Sequence, residues 1–295
     1  MPNFLYICKF EYKKRKAMKS LRTTTVMILL SLTALAQINA QTAPSSMRAR
    51  DVEDQQPTRT KSRTTGEIYF IGAFPLGTLH SFTGLNNCAL TPQPYGVANN
   101  AKEGGASYSL GFGIRIGGTL GGARNLSLFG SFDFIFTHCT DLYSDLFASN
   151  FQYTNSLFTT RLNGPTYFSV PIMLGVHYDV PISNGFGIFV EGGLGVSLNT
   201  LNDMKITSQD MEGYIEYHTL KANTQAGFTF QVGAGFNLGH CLRFGVHYMD
   251  MGNYHPTYNV THDYCNSTFN GIVIDKWWGG TVRMRLLTLR LGFRF

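Results

Sequence analysis

Seven charged residues have the types and spacing that could do chemistry, because each occupies the face of a predicted strand opposite its large apolar residues. These residues are Arg115, Asp133, Asp179, Glu191, Arg243, Arg290 and Arg294. If all seven side chains face one interior, they must form ion pairs, since an unpaired buried charge is strongly unfavourable. Such a network would fix the strand register and block the interior. The alternative is a gate or proton path that uses His177 or His247.

The sequence carries no pattern typical of a hydrolase or of a metal site. A hydrolase needs a serine nucleophile, a histidine base and an orienting acid. There is no Gly-x-Ser-x-Gly motif, and we interpret Ser156 and Ser267 as ordinary loop residues. The histidines of the predicted loops are scattered and lack metal-binding spacing: His80, His138, His255 and His262. We therefore predict no catalytic residue, no metal and no cofactor.

The cysteines permit at most one disulfide. Cys241 lies in a predicted short turn, whereas Cys88, Cys139 and Cys265 lie in or beside predicted long loops. Cys88 could pair with Cys265 or with Cys139, and the sequence does not choose between them. An oxidising compartment would permit the bond without requiring it.

The elements that position the charges are predicted β-strands. In Tyr108–Ile116 every even residue is large and apolar, and the odd residues are Ser, Gly and Arg. The same period of two recurs in the other predicted strands: Glu67–Leu76, Leu126–Phe136, Phe168–Val180, Phe186–Leu198, Phe228–Leu238, Leu242–Tyr248 and Leu287–Phe295. Very few Lys or Glu residues occupy either face, whereas a soluble barrel would carry them on its outside. The apolar face is therefore predicted to contact lipid.

Long and short connections alternate strictly between these strands. The long ones are 77–106, 138–164, 199–224 and 252–280, and the short ones are Leu120–Asn125, Pro181–Gly185 and Gly239–Cys241. This alternation predicts an all-β, eight-stranded, antiparallel up-and-down transmembrane β-barrel with four long loops on one side. Aromatic residues of these loops suit contact with an extracellular protein or glycan: Tyr143, Tyr153, Tyr214, Tyr217, Tyr254, Tyr258 and Trp277. The alternative is that the loops are only hydrophilic and are covered by surface polysaccharide.

The C-terminal residues carry a resemblance to a known family. Leu291, Phe293 and the terminal Phe295 resemble the assembly signal of bacterial outer-membrane barrels. Tyr167–Leu174 and Val190–Gly195 are similar to consecutive strands of the small "porin-family" outer-membrane barrels of Gram-negative bacteria, many of which have a closed OmpA-like barrel. The resemblance covers residues 66–295. It implies contact with outer-membrane lipid and lipopolysaccharide, and with the barrel-assembly machinery through the last strand.

The net charge of +6 belongs to the first forty residues. Of 24 basic and 18 acidic residues, seven and one lie in residues 1–40, which leaves 17 of each in 41–295. A neutral remainder excludes a surface that tracks nucleic-acid phosphates. Basic residues, the apolar stretch Val26–Ala36 and Ile38–Ala40 predict a cleaved signal peptide over 1–40, with 1–17 an over-extended start, and export to the cell outer membrane. Residues 41–65 are predicted to be a flexible periplasmic tether.

These observations favour a non-enzymatic protein with a structural or surface-interaction role, four long extracellular loops and an interior closed by ion pairs. A narrow channel for small solutes is the alternative, and a lipid-modifying enzyme is a weaker one. A soluble secreted barrel that binds a ligand is the rival at the level of the fold.

Overall fold

The computed structural model describes residues 64–94, 100–120, 125–155, 159–183, 185–209, 215–239, 241–265 and 270–295. The predicted signal peptide, the predicted tether up to residue 63, Ser156, Tyr214, Ser267 and the side chain of Tyr153 lie outside the described residues. No helix within the described ranges has the length and apolar character needed to cross a membrane.

Eight long strands close into a barrel. They are β1 (Thr64–Pro75), β3 (Ala106–Thr119), β4 (Leu126–Cys139), β6 (Thr166–Ser183), β7 (Phe186–Leu201), β10 (Gln225–Leu238), β11 (Leu242–Tyr254) and β14 (Val282–Arg294). Each pairs antiparallel with the next barrel strand along the chain, and β14 closes the barrel on β1. The predicted eight-stranded up-and-down barrel is confirmed. The short turns, the start of β1 and Phe295 lie at one end, called the turn end, and the long connections lie at the other, called the loop end.

The outer surface of the barrel is apolar over its whole circumference. On β3, Leu110, Phe112, Ile114 and Ile116 are 47–64% exposed, whereas Ser109 is buried on the opposite face. The other barrel strands repeat this pattern, as the period of two requires when one sheet closes on itself. A belt of exposed Leu, Ile, Val and Phe is stable only in a solvent that is not water, so this surface is built to face lipid.

The long connections are folded, which the sequence analysis did not predict. They contribute a second sheet with strands β2 (Gln93–Pro94), β5 (Thr159–Leu162), β8 (Met204–Gln209), β9 (Ile215–Ala222), β12 (Thr257–Cys265) and β13 (Asn270–Trp278). They also form helix α1 (Asp141–Asn155) and two short 3-10 turns, Gly77–Leu79 and Leu85–Asn87. We call this unit, the described residues of 76–105, 140–165, 202–224 and 255–281, the cap.

The cap has an apolar core that continues into the barrel. Leu79, Leu90 and Val260 are fully buried within it. They belong to one cluster with inward residues of the barrel's loop half, including Ile71 and Ile135. The lumen is therefore filled with apolar side chains at the loop end.

The predicted surface role of three loop tyrosines is wrong. Tyr143, Tyr254 and Tyr258 are at most 1% exposed and pack in the apolar core that the cap shares with the loop half of the barrel, because the folded connections cover these side chains. Tyr217, in contrast, is half exposed on β9.

Two buried thiols belong to the same core. Cys88 of the cap and Cys139 at the end of β4 are free and buried, and Cys241 is free and exposed at the turn end. Burial raises the pKa of Cys88 to about 12, which keeps this thiol protonated and unreactive. The side chain of Cys265 lies outside the described part of the chain. The predicted disulfide of Cys88, with Cys139 or with Cys265, is not formed, because the Cys88 thiol is free.

Candidate functional site

The turn half of the lumen contains a network of ion pairs centred on Glu191. The carboxylate of Glu191 accepts hydrogen bonds from Arg115 Nη2 at 2.8 Å and from Arg243 Nη2 at 2.7 Å. The imidazole nitrogens His177 Nδ1 and His247 Nε2 lie 3.1 and 2.8 Å from the same carboxylate. All five side chains are buried. One carboxylate on β7 thus contacts side chains from three other strands of the barrel, β3, β6 and β11.

Glu67 is the acid that the sequence analysis missed. Its Oε2 lies 2.9 Å from Arg243 Nη1 and 3.8 Å from Arg115 Nη1, so the two guanidinium groups share two carboxylates. The inner face of β1 also carries Tyr69 and Ile71, which are large and apolar. Because both faces of this strand have bulk, its inner face could not be identified from the sequence pattern.

A second cluster lies between the Glu191 network and the apolar core. Arg290 Nη2 donates to Asp133 Oδ2 at 2.9 Å and to Gln231 Oε1 at 2.8 Å. The hydroxyl of Tyr69 donates to the other oxygen of Asp133. Asp133 and Arg290 are both buried, and the pair neutralises two charges that neither water nor lipid could solvate.

The remaining predicted charges lie near the turn end. Asp179 Oδ1 lies 2.9 Å from His177 Nε2 and accepts a hydrogen bond from Asn237 Nδ2 at 2.7 Å. Arg294 Nη2 lies 4.0 Å from Asp179 Oδ2, and both side chains are partly exposed. All seven predicted charges therefore face the lumen, in two buried clusters and one partly exposed pair.

Aromatic rings hold the arginines from the other side. The guanidinium carbon of Arg115 lies 3.6 Å from the centre of the Phe129 ring, and that of Arg243 lies 3.8 Å from the centre of the Phe189 ring. Stacking of this kind favours a planar guanidinium over an ammonium group. Each arginine is therefore fixed between a carboxylate and a ring.

A cavity of about 700 Å³ opens at the turn end and stops at this network. Thr65, Arg115, His177, Arg243 and Arg294 are among its lining residues. A separate void beside Glu67, Arg243 and His247 has a volume of only about 10 Å³, which is about the size of one water-sized probe. The lumen is therefore open to solvent at the turn end and packed with side chains from the network to the loop end.

The arrangement suits charge neutralisation. A chain of polar contacts runs from Asp179 through His177 and Glu191 to His247. On the same face above His247 lies Met249, which is fully buried and opposes the equally buried Leu286. The chain of contacts therefore ends below the apolar core. No group of three or more potential metal ligands converges within the described ranges.

Comparisons with known proteins give a likeness of shape. No family model matches the chain, and no curated protein matches it. The attachment invasion locus protein Ail of Yersinia pestis is 11% identical over 80% of this chain and 100% of its own, with a TM-score of 0.34. OprG of Pseudomonas aeruginosa is 12% identical over 79% of this chain and 95% of its own, with a TM-score of 0.40. A major outer membrane protein of Thermus thermophilus is 11% identical over 78% of this chain and 99% of its own, with a TM-score of 0.39.

The class of protein is identified by the closed sheet and its apolar belt. The fold is that of a small outer-membrane β-barrel. In such a barrel all backbone groups of the spanning strands are paired within the sheet, which lipid requires. This outer-membrane barrel differs from a bare eight-stranded barrel by the cap at its loop end.

Proposed function

We propose that this protein is a non-enzymatic outer-membrane protein whose barrel anchors the folded cap at the cell surface and does not conduct solutes. The observation that supports this function is that two separate groups of side chains obstruct the lumen at different heights. The ion-pair network closes the lumen above the cavity at the turn end, and the apolar core shared with the cap fills the loop half. These two different barriers in series leave no continuous polar path among the residues that the structure describes.

The cap is the part of the molecule that meets the outside. In outer-membrane barrels the short turns face the periplasm and the long connections face the exterior. On the outward face of the cap sheet Tyr217 is 50% exposed and Ile274 is 70% exposed. Exposed aromatic and aliphatic side chains on a rigid sheet favour contact with a protein or glycan partner.

The alternative of a narrow channel would need a water-lined route past Ile71, Ile135 and Met173. These inward side chains are at most 2% exposed and belong to the core cluster. Removing ionic groups from the turn half alone would leave that apolar barrier in place.

Conductance of the refolded full chain in planar lipid bilayers tests the proposal. We expect no stepwise current from the native protein or from the Arg115→Ala/Arg290→Ala variant, because the apolar barrier is intact in both. Stepwise current from the native protein would overturn the proposal in favour of the channel. Current from the variant alone would show that the ion-pair network is the only barrier.

The orientation has its own test in native Cys241, which is exposed at the turn end. A membrane-impermeant maleimide added to intact cells should label a Lys205→Cys variant, because Lys205 is exposed on the cap. In the native chain Cys241 should react only after the outer membrane is permeabilised. Labelling of Cys241 in intact cells would reverse the orientation.

A further inference from the structure

The outward surface of β11 and β14 changes from apolar to charged within one row of residues. From the turn end upward, the outward-facing rows are Phe244 with Leu291, Val246 with Leu289, Tyr248 with Leu287, and Asp250 with Arg285. Successive rows on one face of a strand are about 7 Å apart. The apolar outer surface of β11 and β14 therefore ends between Tyr248 and Asp250.

The charged row is organised around one buried carboxylate. Asp250 Oδ2 accepts hydrogen bonds from Arg283 Nε at 2.9 Å and Arg285 Nε at 3.2 Å, and it lies 2.8 Å from Arg283 Nη2. Its other oxygen accepts the backbone N–H of Gly252 at 3.0 Å. The Asp250 side chain is 3% exposed, whereas those of Arg283 and Arg285 are 49% and 36% exposed. Two half-exposed cations thus share one buried anion, and the cluster carries an excess positive charge.

An irregularity of β11 brings the two arginines to the same carboxylate. The register between β11 and β14 shifts between Asp250 and Asn253, so that Arg285 opposes Asp250 and Arg283 opposes Asn253. Bulges of this kind re-aim side chains next to functional positions. On the neighbouring strands Phe74 and Phe228 are 56% and 64% exposed. Exposed aromatic side chains are typical of the level where lipid chains meet headgroups.

We propose that Arg283 and Arg285, held by Asp250, bind the phosphate group of an anionic lipid headgroup in the leaflet that surrounds the loop end. A guanidinium binds phosphate through two parallel N–H donors, and the contacts with Asp250 leave most donors of the two arginines for a further acceptor. At the edge of a lipid-facing belt, the acceptors at this height are headgroup phosphates. The ligand is thus a membrane lipid, and the site rests on the membrane orientation of the proposed function.

Lipid retention by the full chain tests this site. The protein would be refolded in phosphatidylcholine nanodiscs that contain either diphosphorylated lipid A or the same lipid after enzymatic dephosphorylation. Native mass spectrometry after extraction into detergent would count the lipid A molecules retained. We expect about tenfold more retention of the phosphorylated form, which corresponds to about 1.4 kcal/mol. The Arg283→Gln/Arg285→Gln variant should lose this preference.

A matched control separates the site from general charge. Lys102→Gln/Lys205→Gln removes the same number of positive charges from exposed positions of the cap and should keep the preference. Equal loss in this control, or equal retention of both lipid forms by the native protein, would overturn the proposal. Loss of the preference when inorganic phosphate is added at the lipid concentration would assign the site to free phosphate and also overturn it.

Misfolding of a variant and failure of the proposed function can both be distinguished from a loss of lipid binding. Boiled and unboiled samples on a denaturing gel report whether each variant is folded. If the double variant does not fold, the comparison of the two lipid forms on the native protein still decides. Conductance or a reversed orientation would contradict the proposed function without changing lipid retention in a nanodisc, which offers the same lipid on both faces.

Discussion

The imidazole of His247 reaches the carboxylate of Glu191 at 2.8 Å although their strands are not neighbours in the barrel. Strand β10 lies between them, and its residue in register with both is Gly233. Because glycine has no side chain, the ring of His247 passes over β10. Tyr69 reaches Asp133 in the same way over Gly113. Inward glycines are therefore the places where side chains of second-neighbour strands meet.

Replacing one of these glycines should destabilise the barrel. In Gly113→Ala the new methyl group would overlap the ring of Tyr69 and the carboxylate of Asp133. Overpacking of this kind costs about 1–3 kcal/mol. Gly72→Ala is the matched control, since no atom lies within 4 Å of the added carbon. Urea unfolding in lipid vesicles should show a lower midpoint for Gly113→Ala only, and equal midpoints would contradict the packing argument.

Neutralising Glu191 should lower the free energy of unfolding more than neutralising a surface carboxylate does. In Glu191→Gln the guanidinium groups of Arg115 and Arg243 would share only Glu67. The imidazole of His247 would lose the carboxylate that it contacts, whereas that of His177 would keep its contact with Asp179. Removal of one member of a buried ion pair costs about 3–5 kcal/mol. Asp263→Asn removes an exposed carboxylate of the cap and serves as the control. The free energy of unfolding in vesicles measures both, and similar losses in the two variants would show that the network is not buried as described.

The stability of the cap should fall in mild acid. His218 and His262 are buried opposite each other on β9 and β12, with 2.8 Å between their Nδ1 atoms. Burial, and then the neighbouring His262, lowers the pKa of His218 from 6.5 to about 4. Glu216 Oε2 lies 3.6 Å from His218 Nε2, and Asp275 Oδ2 lies 3.4 Å from His262 Nε2. Each imidazole of the pair thus has a carboxylate beside its Nε2 atom.

Because the unfolded cap binds a proton at a higher pH than the folded cap, the loss of stability begins as pH drops below 6.5 and continues to about 4. We expect a change on the order of 2 kcal/mol. Hydrogen exchange of β8 and β9 amides, corrected for the intrinsic rate, would measure it. His218→Gln should flatten the dependence in this window, and His255→Gln, at a partly exposed position, should not. If the stability of the cap depends on pH in His218→Gln as it does in the native protein, another group causes the loss of stability.

The side chain of Phe295 should matter for assembly more than for the finished barrel. The backbone groups of Phe295 and Gly66 exchange hydrogen bonds of 3.0 and 2.9 Å at the seam, whereas the Phe295 side chain is 68% exposed. Phe295→Ala keeps the backbone pairing and removes the aromatic ring. We expect several-fold less folded protein in the outer membrane of expressing cells, with nearly native stability of the fraction that folds. Phe70→Ala removes another exposed ring and is the control; an equal drop there would argue against a signal at the C-terminus.

The barrel could be predicted from the sequence because a period of two is a local property that each strand displays by itself. The inward side of Arg115 or Arg290 follows from the same pattern. The pairing of Glu191 with His247, however, depends on the register of three strands and on Gly233 between them. The cap depends on pairing between connections that are far apart in the chain, such as β5 with β8 and β2 with β13. Neither kind of long-range register is encoded in a window of neighbouring residues.

The cavity at the turn end reaches the ion-pair network from one side. Its volume of about 700 Å³ corresponds to roughly twenty water molecules, and these reach Arg115 and Arg243 from one side only. Dissolved ions can screen charges only where solvent carries them. Ions dissolved on the turn-end side can therefore screen the charges of the network, whereas ions beyond the cap cannot. The strength of these ion pairs should consequently depend on the ionic strength on one side of the barrel only.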